Sequence, residues 1–397
     1  MLPLPFPFPS QARPKPLSSV YFRLIFAFSH QEATMPLPQT PRSSADDARP
    51  VVAIHGRGAA ENPAGRFERL AYEAELDAPD PERPRTVYLR DPTRTALASN
   101  NSPDVNFDTS LNPYRGCEHG CAYCYARPTH EYLGFSSGLD FETRILVKED
   151  APELLRRELA ARRWRPQVVG MSGVTDPYQP IERRLELTRR CLQVFADYRN
   201  PVQLITKNAL IARDADILAE LASHEAASVS VSITTLDPDL HRRMEPRASH
   251  PEQRLRAIEA LARAGIPVGV MAAPVIPGLT DHELPAILDA AREAGASFAG
   301  HIVLRLPRNV KELFSAWLER HFPERRDKVL NRLRSLRGGR LDDPRFGTRM
   351  RGSGVYAGQI HGLFDLAYQR AGFEGDTRPA LSTAAFRKPG DAQLQLF

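Results

Sequence analysis

The stretch Asn112–Arg127, NPYRGCEHGCAYCYAR, places Cys117, Cys121 and Cys124 at spacings of four and three residues. Three thiolates this close can wrap one corner of a metal centre, and Gly116 and Gly120 permit the tight backbone that such a wrap requires. The whole chain has four cysteines, too few for a disulfide scaffold, so chemistry accounts better for the cluster. A structural zinc site closes its tetrahedron, but Cys191 lies far along the chain and His119, between two ligands of one small loop, is an awkward fourth ligand. A 4Fe-4S cube held by three thiolates instead keeps one iron open to an external ligand. An open iron implies a reaction, whereas closed zinc would leave a non-catalytic zinc-binding interaction protein.

Working outward, the sequence from about Ser102 alternates short β-branched runs with amphipathic helical stretches, the texture of a parallel sheet. Strands are expected at Gln167–Met171, Val202–Thr206, Ser228–Thr234, Val268–Met271 and His301–Leu304. Helices are expected at Ile181–Tyr198, Ala209–Ser223, Pro251–Ala264 and Asp281–Ala294, with Gly265 and Gly295 as stop signals. An earlier strand before Tyr114, with Phe141–Val147 as an irregular insert, brings the count to about six βα units. Six units suggest an α/β partial barrel, with a doubly wound open sheet as the competing arrangement. In both, ligands gather at the carboxyl ends of the strands.

Three further helices are expected over 309–321, 323–336 and 355–371. Between Arg320 and Arg351 eleven Lys or Arg face four Asp or Glu, a local +7. That segment is either a solvated helical face or a surface for nucleic acid. The organisation is then a Pro-rich disordered segment 1–50, an N-terminal extension 51–101, a core barrel 102–307, a basic helical region 308–388 and a flexible tail 389–397. Met35 is an alternative start to Met1.

The 397 residues carry 53 basic and 48 acidic side chains, a net +5, with 42% hydrophobic and 25% charged residues. That is a soluble globular composition. The longest apolar run, Val20–Phe28, is interrupted by Arg23 and is too short to cross a bilayer. It lacks the basic start and small-residue cleavage site of a signal peptide.

The loop CEHGCAYC, with Tyr123 directly before the last cysteine, resembles the signature of the radical S-adenosylmethionine (radical SAM) enzymes. The resemblance extends to about Pro307. It implies a 4Fe-4S cluster on Cys117, Cys121 and Cys124, with S-adenosylmethionine on the unique iron and one-electron cleavage to a 5′-deoxyadenosyl radical. It also implies a (β/α)6 barrel of the radical SAM type with a helical C-terminal extension, and an electron donor such as flavodoxin or ferredoxin.

The same resemblance assigns the cofactor site residue by residue. In MSGVTDPYQPIE, Ser172, Gly173, Thr175 and Asp176 match the groups that hold the methionine amine, though TDP also suits a helix cap. Thr206, Lys207 and Asn208, with Ser232, Thr234 and Thr235, match contacts to the ribose and carboxylate. Arg247 is the cation expected on the methionine carboxylate, because a planar fork matches that group. Val275 and Ile276 are expected in an adenine wall, and Tyr123 beside the cofactor. Tyr123, Tyr125 and Tyr178 are the candidates for radical or hydrogen transfer. Cys191 falls on the apolar face of a helix and is expected to be structural.

Within the superfamily, NPYRGCEHGCAYCYAR and TDPYQPIE most resemble an uncharacterised bacterial family related to spore photoproduct lyase. This implies a nucleic-acid substrate, DNA or RNA, and a DNA repair-like role. The lyase uses an additional cysteine near the strand that here reads Gln167–Met171, and this stretch has none. A radical enzyme acting on a protein or small metabolite is the alternative. The last residues, Gln393, Leu394, Gln395, Leu396 and Phe397, resemble the peptide with which bacterial repair proteins dock on the DNA sliding clamp. An oxygen-sensitive cluster implies a reducing compartment, the cytoplasm, and no membrane partner is expected.

Overall fold

A computed structural model describes residues 54–67, 84–375 and 378–389. The segment 1–50, Met35 and the tail Gln393–Phe397 lie outside the described residues. The extension, core and helical region fall within one unit, Pro50–Phe397.

Six parallel strands form the centre: β1 (Thr109–Leu111), β2 (Val169–Met171), β3 (Val202–Thr206), β4 (Ala227–Ser232), β5 (Val268–Val275) and β6 (Phe298–Val303). They lie side by side in chain order, each parallel to the next, with Leu97–Ser99 antiparallel on the outer side of β1. A doubly wound sheet must reverse its strand order at a switch point. No reversal occurs here, and right-handed crossovers then put every connecting helix on the same face. The arrangement is the six-unit partial barrel.

The pleat explains what each face carries. In β4, Ala227, Val229 and Val231 join the main apolar core, while Ser228, Ser230 and Ser232 alternate onto the opposite face. The strand is buried on both faces but bears hydroxyls on one of them. The crossovers are α1 (Ala151–Ala160), α2 (Leu187–Tyr198), α3 (Ala215–Ala222), α4 (Pro251–Arg263) and α5 (Leu284–Glu293).

Several bounds differ from the sequence expectation. The helix expected over Ile181–Tyr198 is broken at Glu186, which has φ +51°. The Glu182 carboxylate accepts the Thr188 N–H at 3.0 Å and so starts α2 afresh. Residues 209–214 and 281–283 are 3₁₀ turns rather than the first turns of α3 and α5. The insert 141–147 contains a strand, Arg144–Val147, in a small sheet with Val87–Arg90 and Tyr114–Arg115. The helix α1 had not been expected. β5 runs on through Val275, past its expected end at Met271.

The C-terminal region forms α6 (Val310–His321), α7 (Pro323–Leu336) and α8 (Val355–Arg370). Trp317, Phe314 and Leu333 from α6 and α7 pack in one apolar cluster with Cys121, Ala122 and Tyr123. The helical extension therefore supports the cysteine loop from behind. Arg337 is buried and donates to the Leu304 carbonyl at 2.8 Å, which fixes the end of β6. Among the described residues no helix is long and apolar enough to cross a membrane.

Candidate functional site

Beyond the carboxyl ends of the strands lies a cavity lined by Cys117, Cys121 and Cys124, by Asp176 and Lys207 from the loops after β2 and β3, and by Ser232 at the end of β4. The cysteine loop leaves β1 and is held in shape by long-range contacts. Gly116 has φ +79° and Gly120 +67°, conformations that L side chains rarely adopt. Gly58 packs so closely that a Cβ there would lie 1.8 Å from the Gly120 carbonyl oxygen. Arg127 is fully buried and donates to the Cys121 carbonyl through Nε at 3.1 Å and Nη2 at 2.8 Å. Glu142 receives Arg127 at 2.5 Å and the N–H groups of Gly58 and Ala59.

The loop after β2 grips the cysteine loop from the other side. Thr175 Oγ1 donates to the Gly116 carbonyl at 2.7 Å, and the Glu118 N–H donates to Gln179 at 3.1 Å. The Asp176 carboxylate accepts Thr206 Oγ1 and the Lys207 N–H, each at 2.7 Å, and the Tyr178 N–H at 2.9 Å. His119 Nδ1 lies 3.4 Å from the same carboxylate. Burial alone would raise the pKa of Asp176, but the His119 charge and these donors hold it below the usual carboxylate range. Ser172, at the cavity edge, has φ +113°, strain that is held by its Oγ donating to the Thr175 carbonyl at 3.0 Å.

Under the loop lies a buried charge network that sequence reasoning missed. Glu245 is fully buried and receives Arg254, the Tyr123 hydroxyl and, at 3.2 Å, Lys207 Nζ. Lys207 lies 5.6 Å from the centre of the Tyr123 ring. On the other flank of Cys124, Arg305 lies 5.2 Å from the centre of the Tyr125 ring. Tyr125 donates to the Gly173 carbonyl at 2.8 Å.

The profile of the Radical SAM superfamily matches residues 111–291. An uncharacterized protein of Mycobacterium tuberculosis is 39% identical over 238 residues, 59% of this chain and 69% of that protein. The chain belongs to the radical SAM superfamily. A spore photoproduct lyase with bound AdoMet and dinucleoside spore photoproduct superposes at a TM-score of 0.53 and 16% identity, over 72% of this chain and 79% of that chain. That likeness is one of fold. The radical SAM Nalpha-GlyT isomerase of Pseudomonas phage M6 is 26% identical over 220 residues, 55% of this chain and 43% of that protein.

This radical SAM enzyme has a donor set that suits the group its superfamily implies. Among the described residues no three His, Cys, Asp or Glu side chains converge where one ion would sit. A cluster takes each thiolate at a separate iron, so three thiols around one cavity fit a cube better than a tetrahedral ion. Burial pushes the Cys124 thiol up to about 11, with the Arg127 charge opposing it. The deprotonation a ligand thiolate needs is therefore one that the bound metal must favour.

The expected cofactor residues divide by position. Tyr123, Ser172, Gly173, Thr175, Asp176, Thr206, Lys207 and Ser232 line the cavity. Thr234 is just behind it, where its Oγ1 accepts Lys207 Nζ at 3.0 Å. Arg247 is not in the lining, because its guanidinium is engaged by Glu118 at 3.1 Å and the Gly56 carbonyl at 3.1 Å. Val275 and Ile276 are packed into apolar clusters, and Met271, Ala273 and Pro274 of the same segment form the wall instead. Tyr178 is fully buried and donates to Asp214 at 3.1 Å, away from the cavity. Asn208 and Thr235 bond to the Tyr178 carbonyl and to Glu283 respectively. Asp176 turns its own loop at Tyr178 and does not cap the helix that starts after Ile181. Cys191 is in the main core, fully buried, with its thiol pKa pushed up by burial.

Proposed function

We propose that this radical SAM enzyme holds a 4Fe-4S cluster on Cys117, Cys121 and Cys124, cleaves S-adenosylmethionine reductively and acts on nucleic acid. The observation that carries the reading is the convergence of three thiols with Asp176, Lys207 and Ser232 in one cavity at the strand ends. When bound, the cluster supplies the electron for that cleavage. The chain's own residues shape and charge the site. Lys207, unlike Arg247, lines the cavity, and it lends positive charge to the side of the cofactor carboxylate while its donors stay with Thr234, Ala273 and Glu245. Ser172, Gly173 and Thr175 form the wall for the amine, and Met271, Ala273 and Pro274 the apolar wall for the adenine.

The nucleic-acid reading is supported by the local +7 of Arg320–Arg351, in which Arg325, Lys328 and Arg340 are exposed. It is also supported by the half-exposed Tyr125 ring, a face on which a base can stack. A repair-like role, docking of Gln393, Leu394, Leu396 and Phe397 on the sliding clamp, a flavodoxin or ferredoxin electron donor and a cytoplasmic location belong to the same proposal. One observation favours a protein or small-molecule substrate: Arg326, Arg337, Arg345 and Arg349 of the basic segment are engaged within the fold.

The deciding experiment is anaerobic reconstitution followed by turnover with damaged and undamaged DNA, measuring iron, sulfide and released 5′-deoxyadenosine. Iron-loaded, coloured protein that releases more 5′-deoxyadenosine with DNA supports the proposal. Colourless protein holding one tetrahedral ion would overturn it.

A further inference from the structure

Lys207 and Arg305, both in the cavity lining, differ in how their charges are satisfied. Lys207 Nζ donates to Thr234 Oγ1 at 3.0 Å and the Ala273 carbonyl at 2.9 Å, and pairs with Glu245 at 3.2 Å. Its three donors are engaged. Arg305, just past β6, lies over the Tyr125 ring and sends Nη1 to the Met350 sulfur, a weak acceptor, at 3.4 Å. Of the two carboxylates whose charge reaches Arg305, Asp104 is paired with Arg349, and Asp342 forms no ion pair with it. Among the described residues no carboxylate forms an ion pair with Arg305, whose charge is also opposed by Arg349.

A guanidinium carries five N–H donors in a planar fork that matches an oxyanion edge to edge. Burial and then the Arg349 charge push the Arg305 pKa down, and Tyr125, Asp342 and Asp104 only partly oppose them. Beside it Tyr125 is 49% exposed, so this wall of the cavity opens to solvent. A ligand entering here meets an unmatched planar cation and a flat ring before it reaches the thiols.

We propose that Arg305 binds a phosphate group of the substrate at the entrance to the cavity, with the Tyr125 ring packing against the adjoining base or sugar. This rests on the nucleic-acid reading and deepens it by naming the group that is held. The same phosphate chemistry is offered by a polynucleotide and by a free nucleotide, and the test has an arm for each.

The test is equilibrium binding by the full chain, with and without reconstituted cluster. One probe is a labelled single-stranded oligonucleotide, a second is the same sequence with neutral methylphosphonate linkages, and a nucleoside monophosphate is the third. Arg305→Gln is expected to weaken the phosphodiester probe by roughly tenfold or more and to leave the methylphosphonate probe at its wild-type affinity. Arg305→Lys, which keeps the charge but loses the fork, should fall between. Thermal midpoints of both variants check the fold.

Equal weakening on charged and neutral probes overturns the proposal, since Arg305 would then only shape the wall. Wild-type affinity of both variants for every probe also overturns it, and leaves the nucleic-acid reading standing. Arg305-dependent binding of the monophosphate without any binding of the oligonucleotide keeps the phosphate site and defeats the nucleic-acid reading. Failure of the wild type to bind any of the three overturns both.

Discussion

Lys207 Nζ lies 3.2 Å from a Glu245 carboxylate oxygen, and through this contact the end of β3 is tied to the buried charge beneath the cysteine loop. Glu245 also receives Arg254, itself fully buried, and the Tyr123 hydroxyl. Two cations and the ring beside Cys124 thus depend on one carboxylate.

Glu245→Ala is therefore expected to destabilise the fold by about 3–5 kcal/mol, the usual cost of leaving a buried charge without its partner. Denaturant unfolding measures it. Glu245→Gln, which retains acceptor and shape, should lose less. A change under about 1 kcal/mol for the alanine variant would mean that the network is not a structural unit.

Cys117→Ala, Cys121→Ala and Cys124→Ala should each abolish cluster assembly, read as iron and sulfide per chain after anaerobic reconstitution. Cys191→Ala should keep both, because Cys191 is sealed in the main core. Full iron content in any of the first three would contradict the ligand set.

Gly58→Ala tests the packing of the loop without touching a thiol. Its Cβ would lie 1.8 Å from the Gly120 carbonyl oxygen, a backbone atom that no rotamer change can move aside, so the backbone at this contact must shift. Cluster content should fall sharply while the barrel still folds. Wild-type iron binding at wild-type stability would show that the close approach is dispensable.

Acid should weaken the fold through buried histidines. Burial first, then the His361 and Arg351 charges, push His301 down to about 4 from an ordinary 6.5. Between those values the unfolded chain binds more protons than the folded one, so stability rises with pH across that window. It is fully present above pH 6.5 and is lost as pH falls through about 4. The thermal midpoint of His301→Phe should fall less steeply across the window than that of the wild type. His130 and His241, also pushed down to about 4, keep a residual slope. An unchanged slope would remove His301 from the account.

Binding to DNA should weaken steeply with salt if the exposed charges of Arg320–Arg351 contact phosphates. Replacing Arg325, Lys328 and Arg340 together by Gln should flatten that dependence. Deleting Gln393–Phe397 should remove binding to the sliding clamp while cofactor cleavage persists. Affinity that does not vary with salt, or clamp binding that survives the deletion, would end the respective proposal.

Much of the fold was legible because it rests on local periodicity. The alternation in ASVSVS, the repeat of βα units and the spacing of Cys117, Cys121 and Cys124 are properties of neighbouring residues, and each has its structural counterpart. The misplacements came where an adjacent strand end was read as a side-chain direction. Arg247 is close in sequence to Glu245, but Glu118 and Gly56 turn its guanidinium away. Val275 is expected in the adenine wall, but β5 continues through it and the pleat points it into the core.

The sequence by itself determined the alternation of strands and helices, the cysteine loop with its glycines, and hence the superfamily. Only the tertiary structure decided how that loop is held and which cations reach it. Gly58 against Gly120, Arg127 against Glu142, Lys207 against Glu245 and Arg305 over Tyr125 mostly join residues far apart in the chain. Local spacing carries no record of such pairs, because they form only when the barrel brings separate strand ends to one side and buries their charges together.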